Sequence, residues 1–300
     1  MRLTCLFLLS MFAVLVAAPA SAGPPCDEFV ARLPNVNRAL CESAGLRASA
    51  NRSVKGRALW MRDVRSDPGS ADGNPTLRVL VIGGIHGDEL SSSSVALHWL
   101  RLAGQLPNDT QQPMHWRFIP ALNPDGLLGE PPRRVNANGV DLNRNFPTPN
   151  WARDAKIYWE KRTSKDPRRY PGVKPLSEPE SKFLHEQMIS FKPQLIVSIH
   201  APYGVLDFDG PAKGAYTPPS RLGRLYLDQV GIFPGSLGNY GGVHRGTPVV
   251  TVELPNSTRT PLDAEMRQMW LDLLRWTGEH VGKRVTQHAG AEPGSVLVKP

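Results

Sequence analysis

His86 and Glu89 stand three positions apart in a glycine-rich turn, Gly83-Gly-Ile-His-Gly-Asp-Glu89. A neutral imidazole and a carboxylate are both good zinc ligands, and glycine lets the backbone fold tightly around an ion. Alone the pair is a weak signal, because His-x-x-Glu arises by chance in many chains. His200, which ends the apolar run Leu195 to Ile199 far along the chain, strengthens it. Two closely spaced ligands and one distant histidine form the donor set of a catalytic zinc that keeps a position open to water. Glu253 closes another apolar run, Val249-Val-Thr-Val-Glu253, and adds a carboxylate at a strand end, where open α/β sheets place their active sites.

The densest polar motif lies between these groups: Asn123-Pro-Asp-Gly126, then Arg133-Arg134, then Asp141-Leu-Asn-Arg-Asn-Phe146. A guanidinium grips a carboxylate through two parallel hydrogen bonds. Asn143 beside Arg144 can therefore hold a terminal carboxylate, and either Arg133 or Arg134 can face the oxygen of a reacting carbonyl. Asp207 and Asp209 read first as a solvated acidic loop and second as a pair able to bind an ammonium group. Tyr240 and His244 are further candidates for substrate contact. His185-Glu186 does not open a zinc-binding His-Glu-x-x-His, because position 189 is Ile. No Gly-x-Ser-x-Gly elbow or phosphate-binding loop occurs, which disfavours serine hydrolases and nucleotide enzymes.

The elements that must position these groups alternate. Arg78 to Gly83, Leu195 to Ile199 and Val249 to Val252 are short apolar runs suited to buried strands. Ser91 to Ala103 carries an apolar helical face. Ser177-Glu-Pro-Glu180 predicts a capping box with proline in the first turn, opening a helix to about Ser190. Leu262 to Val281 has apolar residues at helical spacing. Strands alternating with helices predict an α/β layered domain. The boundaries expected are residues 1–22 as a signal peptide, 23–76 as an N-terminal segment, 77–286 as the catalytic domain and 287–300 as a loose tail. A turn-rich break covers 67–75.

Taken together, His86-Gly-Asp-Glu89, Asn123-Pro-Asp-Gly126, Asp141-Leu-Asn-Arg-Asn-Phe146, Ser177-Glu-Pro-Glu180, His200 and Thr251-Val-Glu253 resemble the zinc carboxypeptidase family of metallopeptidases. The resemblance spans about residues 77 to 282. Arg-Val-Asn-Ala-Asn-Gly-Val-Asp141 and Pro234-Gly-Ser-Leu-Gly238 are most similar to its bacterial murein peptide amidase branch, which cleaves the γ-D-glutamyl–meso-diaminopimelate bond of cell-wall peptides. The resemblance implies a mixed, mostly parallel central sheet with helices on both faces. It implies one zinc per chain on His86, Glu89 and His200, Glu253 as general base, and Asn143 with Arg144 on the substrate carboxylate. Arg134 matches the family's oxyanion-stabilising arginine better than Arg133 does. A cell-wall peptide or muropeptide is the substrate implied. The alternatives are a zinc-dependent N-acyl amino-acid deacylase and a catalytically silent wall-peptide-binding homologue.

Arg2, the apolar stretch Leu3 to Ala18 and the small-residue site Ala20-Ser-Ala22 predict a signal peptide cut after Ala22, and so a periplasmic or secreted protein without stable membrane insertion. Cys26 and Cys41 then remain as one pair. In an oxidising compartment they are expected to form a disulfide, two buried thiols being the alternative. The formal net charge is +8, and Arg153 to Arg169 mixes basic residues with Trp159 and Tyr158. Such a pattern can mark nucleic acid binding. Export removes that partner, leaving a solvated basic loop or contact with anionic wall polymer.

Overall fold

The computed structural model describes residues 25–66, 76–106, 113–211 and 216–283. The predicted signal peptide, the 67–75 break and the 287–300 tail lie outside the described residues. Strands β1 (Arg47–Arg52), β2 (Ala58–Arg65), β3 (Leu77–Ile82), β4 (Met114–Ile119), β5 (Leu195–His200) and β6 (Val205–Asp209) are followed by a small hairpin, β7 (Arg221–Leu222) with β8 (Leu225–Tyr226), and by β9 (Val249–Glu253). Seven of them form one sheet in the order β1-β2-β4-β3-β5-β9-β6. The centre, β4-β3-β5-β9, is parallel, and antiparallel β2, β1 and β6 flank it.

The parallel centre follows from its side chains. Strands buried on both faces read as continuous apolar runs. Successive residues of β3 serve opposite cores, Val79 and Val81 on one face, Leu80 and Ile82 on the other. In β5, Leu195, Val197 and Ile199 join the first core and Ile196 the second.

The helices are α1 (Cys26–Arg32), α2 (Arg38–Ser43), α3 (Leu90–Ala103), α4 (Pro124–Leu127), α5 (Trp151–Ile157), α6 (Pro179–Phe191) and α7 (Asp263–Trp276). The first core joins α1, α2, α3 and α7 to the sheet. Trp270 of α7 lies 4.7 Å from Trp116 and 5.7 Å from Trp99, measured between ring centroids. A Cys26–Cys41 disulfide ties α1 to α2. In the chain-entropy account, closing such a short loop adds about 3 kcal/mol. The second core joins Phe183, Leu184, Met188 and Phe191 of α6 to Leu142, Phe146 and Leu237 from the connecting loops.

Three local expectations change. Ser177 does not cap α6: the N-cap is Glu178, without a side-chain cap bond. Ser177 Oγ instead donates to Glu178 Oε1 at 2.7 Å, and Glu180 accepts from Asn136 at 3.0 Å and from the Val54 amide at 3.2 Å. Asn145 Nδ2 also donates to Ser177 Oγ at 3.0 Å, so partners distant in sequence replace the local box. Leu262 precedes α7 and is 78% exposed, so the apolar face of that helix begins at Met266. Strands β1, β2, β4 and β6 go beyond the three apolar runs. In β4, His115 and Arg117 interrupt the run. They are satisfied by Asp63 of β2, at 3.1 Å from His115 Nε2 and 2.7 Å from an Arg117 guanidinium nitrogen. No described helix is long and apolar enough to cross a membrane.

Candidate active site

The carboxyl ends of β3, β5 and β9 open into a cleft of about 820 Å³. The turn after β3 is tight at Gly87, where a Cβ would collide with the backbone of Gly126 and Leu127. This close approach sets His86 and Glu89 against the strand end. His86 Nδ1 lies 2.7 Å from Glu89 Oε1. His200 Nδ1 lies 3.1 Å from Glu89 Oε2 and 3.2 Å from His86 Nδ1. All three side chains are buried, and their donor atoms lie within 4.8 Å of one another.

The outer shell fixes which atoms face inward. His86 Nε2 sits 3.2 Å from Asp141 Oδ1, and His200 Nε2 sits 2.9 Å from Ser198 Oγ. Burial would raise the pKa of Asp141, but Arg134 and His86 hold it well below the ordinary carboxylate range. An ionised carboxylate only accepts, so Nε2 of a neutral His86 carries the proton and Nδ1 presents its lone pair inward. Burial likewise opposes ionisation of Glu89, and His86 and His200 overcome it. Two inward imidazole nitrogens and a carboxylate, with hydrogen bonds behind the rings, fit a zinc-type ion.

Glu253 is the cross-strand neighbour of His200 in the β5–β9 ladder. It is 6% exposed, lines the cleft, and its Oε2 is buried without a hydrogen-bond partner among the described residues. Burial pushes its pKa up. Arg134 also lines the cleft, donating from Nε to Asp141 Oδ2 at 3.1 Å and from a terminal nitrogen to Glu89 Oε1 at 3.4 Å. Arg133 is exposed and is not among the cleft-lining residues.

Asn143 and Arg144 form the next part of the wall. Asn143 Oδ1 accepts from the Leu237 amide at 2.8 Å, which leaves its NH2 as the donor on offer. The buried Arg144 guanidinium lies 4.5 Å from the ring centre of Phe233 and 5.5 Å from that of Tyr158. One terminal nitrogen donates to the Asn143 carbonyl at 2.7 Å, and Nε has no hydrogen-bond partner among the described residues. Arginine over aromatic faces is held in one orientation, ready for a planar anion.

Asp207 and Asp209 are not a solvated loop. They project from β6 into the cleft wall and are 6% and 8% exposed. Burial and then the neighbouring Asp207 charge push Asp209 up to about 7. A Cβ at Gly238 would fall on the Asp209 carboxylate, so glycine there makes room for the acid. Part of the basic segment is likewise wall, since Arg162, Arg168 and Arg169 all line the cleft.

Other motif residues turn out to be scaffold. Asp125 accepts from Ser53 Oγ at 2.8 Å and from the Lys55 amide at 2.9 Å. Asn136 joins Glu178 to Glu180, and Asn145 binds the carbonyls of Pro171 and Lys174. Tyr240 is buried against Phe146, with its hydroxyl 2.8 Å from His185 Nδ1, outside the cleft lining. His244 is exposed and also outside it. Sequence reasoning gave no separate part to Asp141, Ser198, Tyr158 or Phe233. Asp141 carried the clearest signal, two positions before Asn143 in the same motif.

Comparison with known proteins agrees with this geometry. Residues 46–214, more than half of the chain, match the Peptidase_M14 zinc carboxypeptidase family. Murein peptide amidase A of Vibrio campbellii is 33% identical over 63% of this chain and 72% of its own length. The protein of that name from Escherichia coli K12 is 30% identical over 66% of this chain and 79% of its own. Carboxypeptidase A from Helicoverpa armigera shares the fold, with a TM-score of 0.59 and 16% identity over 84% of this chain and 72% of that one. The chain belongs to the zinc carboxypeptidase family and is a hydrolase.

Proposed function

We propose that this protein is an exported zinc metallopeptidase that hydrolyses peptidoglycan-derived peptides at the γ-D-glutamyl–meso-diaminopimelate bond. The observation that carries the reading is a single cleft in which a three-ligand cluster, the buried Glu253 carboxylate with its Oε2 unpaired among the described residues, and the buried Arg144 guanidinium open together. The relatives named murein peptide amidase A supply the substrate class. The Cys26–Cys41 disulfide supports export, since disulfides persist in oxidising compartments.

His86, Glu89 and His200 would hold the zinc, with Asp141 and Ser198 fixing the two rings. When bound, zinc lowers the pKa of a water ligand to about 7 and polarises the scissile carbonyl. The protein's own groups do the rest. Asn143 and Arg144 take the α-carboxylate of the diaminopimelate residue and so set the register of the peptide. Asp207 and Asp209 face its distal ammonium, whose charge offsets that of two buried acids. Glu253 Oε2 accepts a proton from the attacking water and delivers it to the leaving nitrogen. Arg134 donates to the carbonyl oxygen as negative charge grows there, a contribution worth about 3–4 kcal/mol in comparable sites.

The test is incubation of the mature protein with L-Ala-γ-D-Glu-meso-diaminopimelate and with whole muropeptides, the products being read by mass spectrometry. Free diaminopimelate is the expected product. Intact peptide alongside cleaved N-acyl amino acids would replace this reading with the deacylase.

A further inference from the structure

Asp88 lies between the ligands His86 and Glu89, and its Oδ2 is 2.8 Å from a terminal nitrogen of Arg168. The salt bridge brings a cation from the 158–172 segment to the ligand loop, and both residues line the cleft. The backbone at Arg168 is pinned as well, its amide donating to Asp166 Oδ1 at 2.9 Å. Asp88 uses one edge of a guanidinium that has five N–H donors, so the remainder can serve a ligand. Three of the four other arginines that line the cleft have local partners. Arg134 is held by Asp141 and Glu89, Arg144 sits against Phe233 with Asn143, and Arg169 faces Asp166 at 3.6 Å.

A γ-linked glutamyl residue differs from an ordinary peptide residue in one way that matters here: its α-carboxylate is free, on the acyl side of the scissile bond. We infer that Arg168, steadied by Asp88, binds this acyl-side carboxylate and makes the site selective for γ-glutamyl over α-peptide bonds. The inference rests on the proposed function and assigns Arg168 a part in specificity, separate from the Asn143–Arg144 grip on the leaving residue. Arg168 is 57% exposed, so its contribution is at the modest end of those for charged hydrogen bonds, about tenfold in discrimination.

The test uses two substrates that differ at one group, L-Ala-γ-D-Glu-meso-diaminopimelate and its analogue with the glutamyl α-carboxylate converted to carboxamide. The wild-type protein should favour the acid about tenfold in kcat/KM. Arg168→Gln should bring the ratio near one, whereas Arg153→Gln, which removes a similar charge from the exposed face of α5, should preserve it. The ratio of Kd values in a Glu253→Gln background should follow the same pattern and reports binding without turnover. Equal use of acid and amide by the wild-type protein would overturn the inference while leaving the proposed function standing. Loss of the preference in Arg162→Gln but not in Arg168→Gln would also overturn it. Cleavage of neither substrate would overturn the proposed function, and this inference with it.

Discussion

The two faces of the sheet are covered by different chemistry. On the first, α1, α2, α3 and α7 close over an apolar core that includes Trp99, Trp116 and Trp270. On the second, α6 covers only part of the surface. The remainder is loop, held through buried polar groups such as Asp125, Asn136, Asn145, Glu178 and Glu180. Glu253 and Ser198 point to the second side, since their strand neighbours Val252, Val197 and Ile199 belong to the first core. The first face therefore makes the fold stable. The second trades part of its apolar packing for loops whose positions are set by hydrogen bonds, as an active site requires.

Substitutions test this contrast between the faces. The largest effect is expected at Glu253→Gln, which keeps shape but removes the proposed base. Turnover should fall by about 10²–10⁴-fold with zinc content and melting temperature preserved. Normal turnover with normal zinc would remove Glu253 from that part. Asp141→Asn should weaken zinc affinity by about 10–100-fold, read by competition with a chelator, because it loosens His86 and Arg134 together. Unchanged affinity would make Asp141 a scaffold residue.

A pair of substitutions separates the faces directly. Leu273→Ala on α7 should cost about 2–5 kcal/mol in denaturant unfolding, while the folded fraction keeps its kcat/KM. Asn136→Ala leaves the Glu178 and Glu180 carboxylates short of a donor, and should lower stability by about 1–3 kcal/mol and kcat/KM as well. If both variants lose only stability, the contrast between the faces fails.

The smallest effect is expected at Asp209→Asn. The acid titrates near 7 in the folded chain, above its ordinary unfolded value, so the native state binds the extra proton. Its destabilising influence grows as pH rises from about 4 and is complete above about 7. The variant should thus gain about 1–2 kcal/mol over wild type at pH 8 and little at pH 4, measured by thermal melts. An equal gain at both pH values would contradict the shift.

The site was more legible in the sequence than the scaffold that carries it. His86, Glu89, His200 and Glu253 stand at the ends of apolar runs, because strands buried on both faces need such runs and parallel sheets gather their strand ends. The flanking strands lack that signal. In β1, Arg-Ala-Ser-Ala-Asn-Arg has no apolar run, and in β4 the alternation of His115 and Arg117 with Trp116 and Phe118 depends on Asp63 from another strand. Partners distant in sequence also decide the cases of Ser177, Asp207 and Tyr240. The local pattern suggests a cap, a solvated loop and a substrate contact, and the tertiary neighbours make them a loop tie, a cleft wall and a core residue. The disulfide was legible, because Cys26 and Cys41 are the only cysteines beyond the predicted signal peptide.

In the proposed function, one metal on His86, Glu89 and His200 makes the cleft a hydrolase. The most direct measurement is zinc per chain alongside diaminopimelate release, before chelation, after it, and during stepwise return of zinc. One zinc per chain is expected, with release abolished by its removal and restored as one equivalent returns. Full release from metal-free protein would contradict the account.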